Sequence, residues 1–253
     1  MTVRIPISRR RFLATASTAI AAVVPKPYLS RAADRPVITH GIQSGDVSLD
    51  SAVIWARADR PARMLAEVAT SDSFKTIHRA VFVDALPETD FTANALIDGL
   101  PAGQDIFYRI RFQDLASPTI VGEPMTGRFR TAPSDQRSIS FVWSGDTAGQ
   151  GWGIDEARGG MRTYATMLRN RPDFLIHNGD NIYADGPILA EQKMPNGEIW
   201  KNVVMEEKTK PAETLAEFRA NYKYNLLDRN VLAFNAEVPI FSQWDDHEVT
   251  NNW

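Results

Sequence analysis

The sequence predicts a multi-domain β plus α/β chain, a β-sandwich followed by an α/β unit on a parallel sheet. Three observations point there. Between Pro36 and Thr131, short β-rich runs are separated by Asp/Gly/Pro/Ser clusters at the spacing of a sandwich. After a polar seam, Thr131-Ala132-Pro133-Ser134-Asp135-Gln136, strand-like and helix-like runs alternate as in βαβ units. The chain has 253 residues, 43% of them hydrophobic, which is enough for a sizeable core without the cysteine it lacks.

Residues 53–57, 66–69, 80–83, 91–96 and 107–112 are the sandwich strands expected, with 127–131 as the last. Their Val, Ile and aromatic residues suit a pleated, half-buried surface. Leu100-Pro101-Ala102-Gly103 ahead of Tyr108 reads as the corner into a penultimate strand, its tyrosine hydroxyl tied back to the preceding loop. Asp46 reads as a turn residue. No run concentrates histidine or carboxylate, so 36–131 is expected to be a scaffold of the fibronectin/Ig-like kind.

Three apolar strands follow, over 138–143, 173–177 and 238–244, and all are expected to be buried. Asp155 to Asn170 reads as a helix with Met161, Tyr164, Ala165 and Leu168 on one face. A second helix is expected over 211–228, opened by Pro211. Its stripe of Leu215, Phe218, Tyr222 and Leu226 is expected to pack on the core.

Charge is unevenly spread. Arg4, Arg9, Arg10, Arg11, Lys26 and Arg31 fall in a start that holds no acid. Taking those six from 28 basic residues leaves 22 against 31 acidic ones for the rest. So acidic a body excludes a nucleic-acid scaffold and suits hard cations held by carboxylates. The absence of cysteine excludes disulfides, thiolate metal sites, Fe–S clusters and cysteine nucleophiles.

Ser8-Arg9-Arg10-Arg11-Phe12-Leu13, an apolar run over 14–24 and small residues beyond Pro25 have the layout of a secretory signal. The paired arginines followed by Phe-Leu resemble a twin-arginine signal. The apolar run is far shorter than the ~20 residues that span a bilayer. Residues 1–33 are therefore expected to be an export signal, cut near Ala32 or Ala33. The expected location is periplasmic or extracellular, with the twin-arginine export machinery as partner and no stable membrane anchor.

The apolar strands run into acid. They lead to Ser144-Gly145-Asp146, to Asn178-Gly179-Asp180-Asn181-Ile182-Tyr183 and to Asp245-Asp246-His247-Glu248. Sites in parallel sheets form at the carboxyl ends of strands, so these carboxylates should converge. Two carboxylates ~4 Å apart repel by about 4 kcal/mol at an effective dielectric near ~20. The nearby sequence offers few cations, which makes metal ions the economical counter-charge. Any one of these aspartates alone would read as a helix cap or turn residue, and His177 as a satisfied core histidine. Three clusters in this order read as a site.

Gly179-Asp180-Asn181-Ile182-Tyr183 resembles the Gly-Asp-x-x-Tyr motif of purple-acid-phosphatase-like metallophosphoesterases. Trp244-Asp245-Asp246-His247-Glu248-Val249-Thr250-Asn251-Asn252 resembles the signature of the alkaline phosphatase D (PhoD-like) branch. His40-Gly41-Ile42-Gln43-Ser44-Gly45-Asp46-Val47 through Arg57 is similar to that family's N-terminal sandwich. The resemblance implies a fibronectin/Ig-like domain at 36–131, then the first half of a metallophosphoesterase α/β sandwich at 137–253. It implies a phosphoric ester hydrolase acting on small phosphate esters through two or more metal ions, Fe(III) with Ca2+ or another divalent cation. Asp180 would bridge the metals, Tyr183 would bind the ferric ion as phenolate, and Asp246 would bind the second. Asp146 stands where some members carry a cysteine and others an aspartate. His247 would touch the phosphate or protonate the leaving oxygen, with Asp245, Glu248 and Asn252 orienting the ligands.

Two other readings remain at this point. One is a secreted, non-catalytic binding module in which the sandwich recognises a partner. The other uses the loop over 145–153 as a nucleotide phosphate cradle, although it lacks the P-loop lysine. The resemblance also implies His-rich motifs downstream of Glu248, whereas the four histidines are His40, His78, His177 and His247. The chain is accordingly expected to be a fragment, inactive or poor in metal by itself, with an exposed apolar sheet face.

Overall fold

The computed structural model describes residues 34–253, and the expected export signal lies outside the described residues. Among the described residues no helix is long and apolar enough to cross a membrane. Arg35–Trp253 form one compact unit.

Seven strands build the N-terminal part: β1 (Ile38–Gly45), β2 (Ala52–Ala58), β3 (Ala62–Ala69), β4 (Arg79–Ala85), β5 (Thr92–Ile97), β6 (Asp105–Asp114) and β7 (Met125–Arg130). One antiparallel sheet has the order β4-β3-β6-β7, and β5-β2-β1 stand side by side in the other. Along β2, buried Ala52, Ile54, Ala56 and Ala58 alternate with half-buried neighbours, the period-two pattern of a strand covered on one face. Met64 of β3 and Ile106, Tyr108, Ile110 and Phe112 of β6 answer them from the opposite sheet in a continuous core. Alanines facing large side chains let the two layers interdigitate.

The sequence-expected strands are all present, but β1 is additional. Its pairing with β2 shifts register between Ile38 and Ile42, and such a bulge erases the alternation that marks a strand. The expected tyrosine corner is overturned. Tyr108 donates its hydroxyl to the carbonyl of Ala236 (3.1 Å), far along the chain, rather than to the preceding loop. Thr131 holds that loop instead, its hydroxyl donating to Pro101 O (2.7 Å) and accepting from Gln104 N (3.0 Å).

In the α/β part, β8 (Phe141–Ser144), β9 (Phe174–His177) and β12 (Ile240–Ser242) pair in parallel in the order β12-β9-β8. Strand β12 also pairs with β1 at Gly45 and Ile240. A single sheet, β5-β2-β1-β12-β9-β8, therefore crosses the seam read from the sequence. A short hairpin, β10 (Glu191–Lys193) and β11 (Ile199–Lys201), was not expected.

Three helices follow: α1 (Arg162–Arg169), α2 (Leu215–Asn225) and α3 (Arg229–Glu237). The helix expected from Asp155 is divided. Asp155 accepts from Arg158 N (3.1 Å) and caps one 3-10 turn, which ends at Gly159, and α1 starts at Arg162. Helix α2 begins after a capping box of Thr214 and Glu217, not at Pro211. Its expected core stripe is also overturned, because Leu215 and Tyr222 are exposed while Ala220, Asn221, Tyr224 and Asn225 are buried. Polar groups face inward here because they hold loops: the Tyr224 hydroxyl accepts from Ile154 N (3.0 Å) and donates to Val203 O (2.9 Å). Helix α3, missed in the sequence, is capped by Asp228, which accepts from Asn230 N (2.8 Å) and Val231 N (3.1 Å).

The parallel strands are not buried on both faces as expected. Met167 of α1 and Phe234 of α3 pack with Leu175 and Val238 on one face. On the other, Phe141 and Trp143 of β8 are 50% and 71% exposed. The open face carries a row of rings, Phe141 stacked on Phe174 at 5.3 Å and Phe174 edge-on to Phe241 at 5.4 Å.

Candidate metal centre

The loops that leave β8, β9 and β12 meet at the carboxyl ends of these strands. Asp180, Asp246 and His247 each bring one potential ligand atom, and the three atoms lie within 4.8 Å of one another. Tyr183 links Asp146 to the group, its phenol donating to Asp146 Oδ1 (2.7 Å). All four metal-ligand candidates and His247 are therefore brought together.

The backbone is strained at this point. Asp146 (φ 61°) and Asp180 (φ 52°) both sit in the left-handed region, where a non-glycine residue costs roughly 1–2 kcal/mol. Gly179 precedes Asp180 at φ 100°, and a Cβ there would run into Asp245. Each Gly-Asp pair turns the chain sharply off its strand and aims a carboxylate back over the strand end.

The residues expected to orient the ligands are hydrogen-bonded to the loops that carry Asp180 and Asp246. Buried Glu248 accepts from Asp180 N (3.2 Å), Asn181 N (2.5 Å) and Asp245 N (2.8 Å), fastening two loops with one carboxylate. Asp245 accepts from Asp246 N (3.0 Å), and Asn252 N donates to the Asp246 carboxylate. His247 N donates to Asp180 Oδ1 (3.2 Å).

Crowding shows in the protonation equilibria. Burial, together with the neighbouring Asp146 carboxyl, raises the Asp180 pKa above the usual carboxylate value. Burial and the Asp146 and Asp180 carboxylates push Tyr183 upward as well, so its phenol keeps its proton and donates. For His247, burial opposes the charged ring, but the Asp185 carboxylate outweighs it and the net shift is upward. His247 lies stacked on Tyr183, centroids 4.3 Å apart.

Sequence reasoning missed several contributors. Asp185 accepts from His247 Nδ1 at 2.8 and 3.0 Å and from Asn251 N at 2.8 Å. A second carboxylate in the loop that already held Asp180 and Tyr183 was its available signal. Lys208 is buried beneath that loop, its ammonium donating to Tyr183 O (3.1 Å) and to Asn221, and burial pulls its pKa down to about 8. Nothing in the local sequence marks Lys208. His177 is a core histidine, buried and with its pKa lowered by burial, but it is only half satisfied, since its buried Nδ1 has no hydrogen-bond partner among the described residues. Its Nε2 shares a 2.9 Å hydrogen bond with Thr147, which ties the Asp146 loop to β9.

In the loop over 145–153, one reading of which is a phosphate cradle, four of the nine N–H groups are already engaged. Asp146 N and Thr147 N donate to Gly179 O and Asp180 O, Trp152 N to Gly149 O and Gly153 N to Asn202 Oδ1. The centre itself offers carboxylates, a phenol and an imidazole backed by a carboxylate. That donor set fits hard or borderline cations, and the Asp185–His247 pair is the second layer that metal-bound histidines use.

Two family models match the chain, one described as PhoD-like phosphatase over residues 141–253 and one as the PhoD-like phosphatase N-terminal domain over 21–133. The chain belongs to the PhoD-like phosphatase family. Alkaline phosphatase D of Bacillus subtilis (strain 168) is 26% identical to it over 226 residues, which is 85% of this chain and 36% of that protein. A solved structure of PhoD is 25% identical with a TM-score of 0.67, over 85% of this chain and 40% of that one. Purple acid phosphatase PPD1 from yellow lupin seeds is 13% identical with a TM-score of 0.48, over 83% and 35%. The chain thus spans well under half the length of the PhoD relatives it matches, and the resemblance read from its motifs is borne out.

Proposed function

We propose that this chain carries the ligand-bearing first part of a metal-dependent phosphoesterase that hydrolyses small phosphate esters. The observation that carries this reading is the convergence of Asp180, Asp246 and His247 on one point, with Asp146 and Tyr183 joined to it. Asp180 would be shared between two cations, Asp146 and Tyr183 would hold a ferric ion, and Asp246 would hold Ca2+ or another divalent ion. Bound there, the cations would supply an acidified water and neutralise charge on the phosphoryl oxygens.

The chain's own residues do the rest. Glu248 and Asp245 fix the loops, so the carboxylates need not reorganise as the cations bind. Asp185 holds the proton on His247 Nδ1 and favours the imidazolium, which leaves the Nε2 proton for the departing ester oxygen as its bond to phosphorus breaks. We also propose that the chain is exported to the periplasm or beyond by the twin-arginine route, a reading supported by Arg9, Arg10, Arg11 and Phe12 alone.

The test is Asp180→Asn in the whole chain, with bound iron and calcium counted and p-nitrophenyl phosphate hydrolysis followed. Both should fall together, hydrolysis to background. Metal content at the wild-type level would sink the shared-ligand role.

A further inference from the structure

Beside the metal centre lies a second feature that the proposed chemistry does not use. A cavity of about 590 Å³ is bounded by the Ser144–Gly153 loop, the start of α1 and the β10–β11 hairpin. Its volume falls within the range of small-molecule sites, roughly 300–1,000 Å³. Asp146 forms part of its wall and is bonded to Tyr183, so the cavity and the centre share that carboxylate. A phosphoester with its phosphorus at the centre would extend its organic group into this space.

The lining says what that group is. Trp152 and Trp200 meet edge to face across the cavity, centroids 5.9 Å apart. Neither belongs to a core cluster, and both are only half-buried. Trp200 has a structural task, because its indole donates to Gly153 O (3.2 Å) and Arg158 lies over its ring at 5.7 Å. Trp152 has none: its side chain makes no hydrogen bond among the described residues. A half-buried tryptophan on a cavity wall, with no side-chain hydrogen bond and an edge-to-face contact with Trp200, offers the cavity a surface for stacking.

Charge adds a second requirement. Arg158 is already neutralised by Glu198 (2.8 Å) and Asp155 (3.4 Å). Arg162, also on the wall, has no ion pair or side-chain hydrogen bond among the described residues. In a body with an excess of acid, an unpaired arginine at a cavity rim selects for anions.

We infer that this cavity is the leaving-group subsite, and that it takes a flat aromatic group bearing a second negative charge, stacked at Trp152 and paired with Arg162. The inference rests on the phosphoesterase reading and names its substrate class. A carboxylated aryl group meets both requirements, whereas a nucleobase offers the π face without the charge.

Phosphonates test it, since their P–C bond resists hydrolysis. Propylphosphonate, phenylphosphonate, 4-carboxyphenylphosphonate and the phosphonate analogue of adenosine monophosphate would be titrated by calorimetry into the whole chain loaded with Fe(III) and Ca2+. The aryl and adenosine compounds should bind about tenfold tighter than the propyl compound, the scale of one stacked ring. The tighter of the two identifies the source of the ring. Trp152→Leu should close that gap. Arg162→Ala should cost the 4-carboxyphenyl compound about tenfold more than the phenyl compound.

Equal affinities for propyl and phenyl compounds in the unmodified chain would overturn the subsite without any variant having to fold. A gap that survives Trp152→Leu in a folded protein would do the same. An Arg162→Ala loss shared equally by charged and uncharged rings would overturn the anion half. Ester hydrolysis without ring discrimination would leave the phosphoesterase reading and remove the subsite. Ring discrimination in a loaded protein that hydrolyses no ester would leave the subsite and remove the phosphoesterase reading.

Discussion

The sandwich and the parallel-strand part share a sheet yet treat their side chains differently. In the sandwich, strands β2, β3 and β6 each bury every second residue in one continuous core. In the parallel part the buried apolar residues fall into two small groups, Met167 with Leu175, Phe234 and Val238, and Ile154 with Ile188 and Tyr224. Its strand β8 shows half of Phe141 and most of Trp143 to solvent. Left-handed backbone occurs in both parts, at Asp46, Phe74, Asp90 and Phe91 in the sandwich, but at Asp146 and Asp180 it falls where the clustered carboxylates leave the parallel strands. One half spends its sequence on closure. The other spends it on placing carboxylates, and it holds them with backbone hydrogen bonds to Glu248 rather than with packing.

The sharpest way to break this comparison is to delete the same ring from each half. Phe112→Ala empties a fully buried site in the sandwich and should cost about 3–5 kcal/mol. Phe141→Ala removes a ring already 50% exposed and should cost under ~1 kcal/mol. Urea unfolding of both variants decides it. Similar losses would mean that the open ring row is packed in solution and that the contrast is false.

A second test sets two glycines against each other. Gly99 (φ 70°) has open space where a Cβ would stand, so Gly99→Ala should cost only the left-handed backbone penalty, about 1 kcal/mol. At Gly179 the added Cβ also meets Asp245, so Gly179→Ala should cost about 2–3 kcal/mol and push the Asp245–Asp246 turn away from Asp180. Metal titration separates the two: Gly179→Ala should lose Fe(III) and Ca2+ binding, and Gly99→Ala should keep it. Full metal binding by Gly179→Ala would show that the turn is not what holds the carboxylates.

The same division governs what could be read from the sequence. The sandwich was legible because alternation along β2, β3 and β6 is repeated and local. Its strands were missed only where a bulge in β1 broke the period. The candidate metal-ligand carboxylates were legible because Asp146, Asp180 and Asp246 each lie within three residues of the end of an apolar run. Their supports were less so. Asp185, Lys208 and Thr147 act through bonds that join loops distant in the chain, and no spacing rule marks such partners. Tyr108 misled for the opposite reason: the corner is a local pattern, but helix α3 offered its hydroxyl a carbonyl from far along the chain. The α2 stripe misled because loop anchoring by Asn221 and Tyr224 outweighed burial of Leu215.

Acid should probe the sandwich side. His40 of β1 has a pKa lowered from 6.5 to about 4, mostly by burial, then by Arg57 of β2 and Lys223 of α2, with Asp90 opposing them. As pH falls from 6.5 toward 4 the unfolded chain takes up this proton and the folded chain does not, so folding stability drops across that window. The ring is only half-buried, and solvent screening reduces the effect to about 1 kcal/mol. His40→Gln should flatten this part of the stability profile while leaving it unchanged above pH 7. An identical slope in both proteins would assign the acid loss to the carboxylates instead.

The smallest effect expected concerns the joint between the two halves. Tyr108 is fully buried on the sandwich side, and its hydroxyl reaches Ala236 in α3, whose Asn235 also donates to Gln43 of β1 (3.1 Å). Tyr108→Phe keeps the ring and removes only the donor, so it should cost about 1 kcal/mol. Because the bond spans both halves, hydrogen exchange should quicken together at the amides of β6 and of α3. If only α3 exchanged faster, the hydroxyl would be serving the helix end alone. The shared sheet and the Asn235–Gln43 bond would then be what makes the two parts unfold as one.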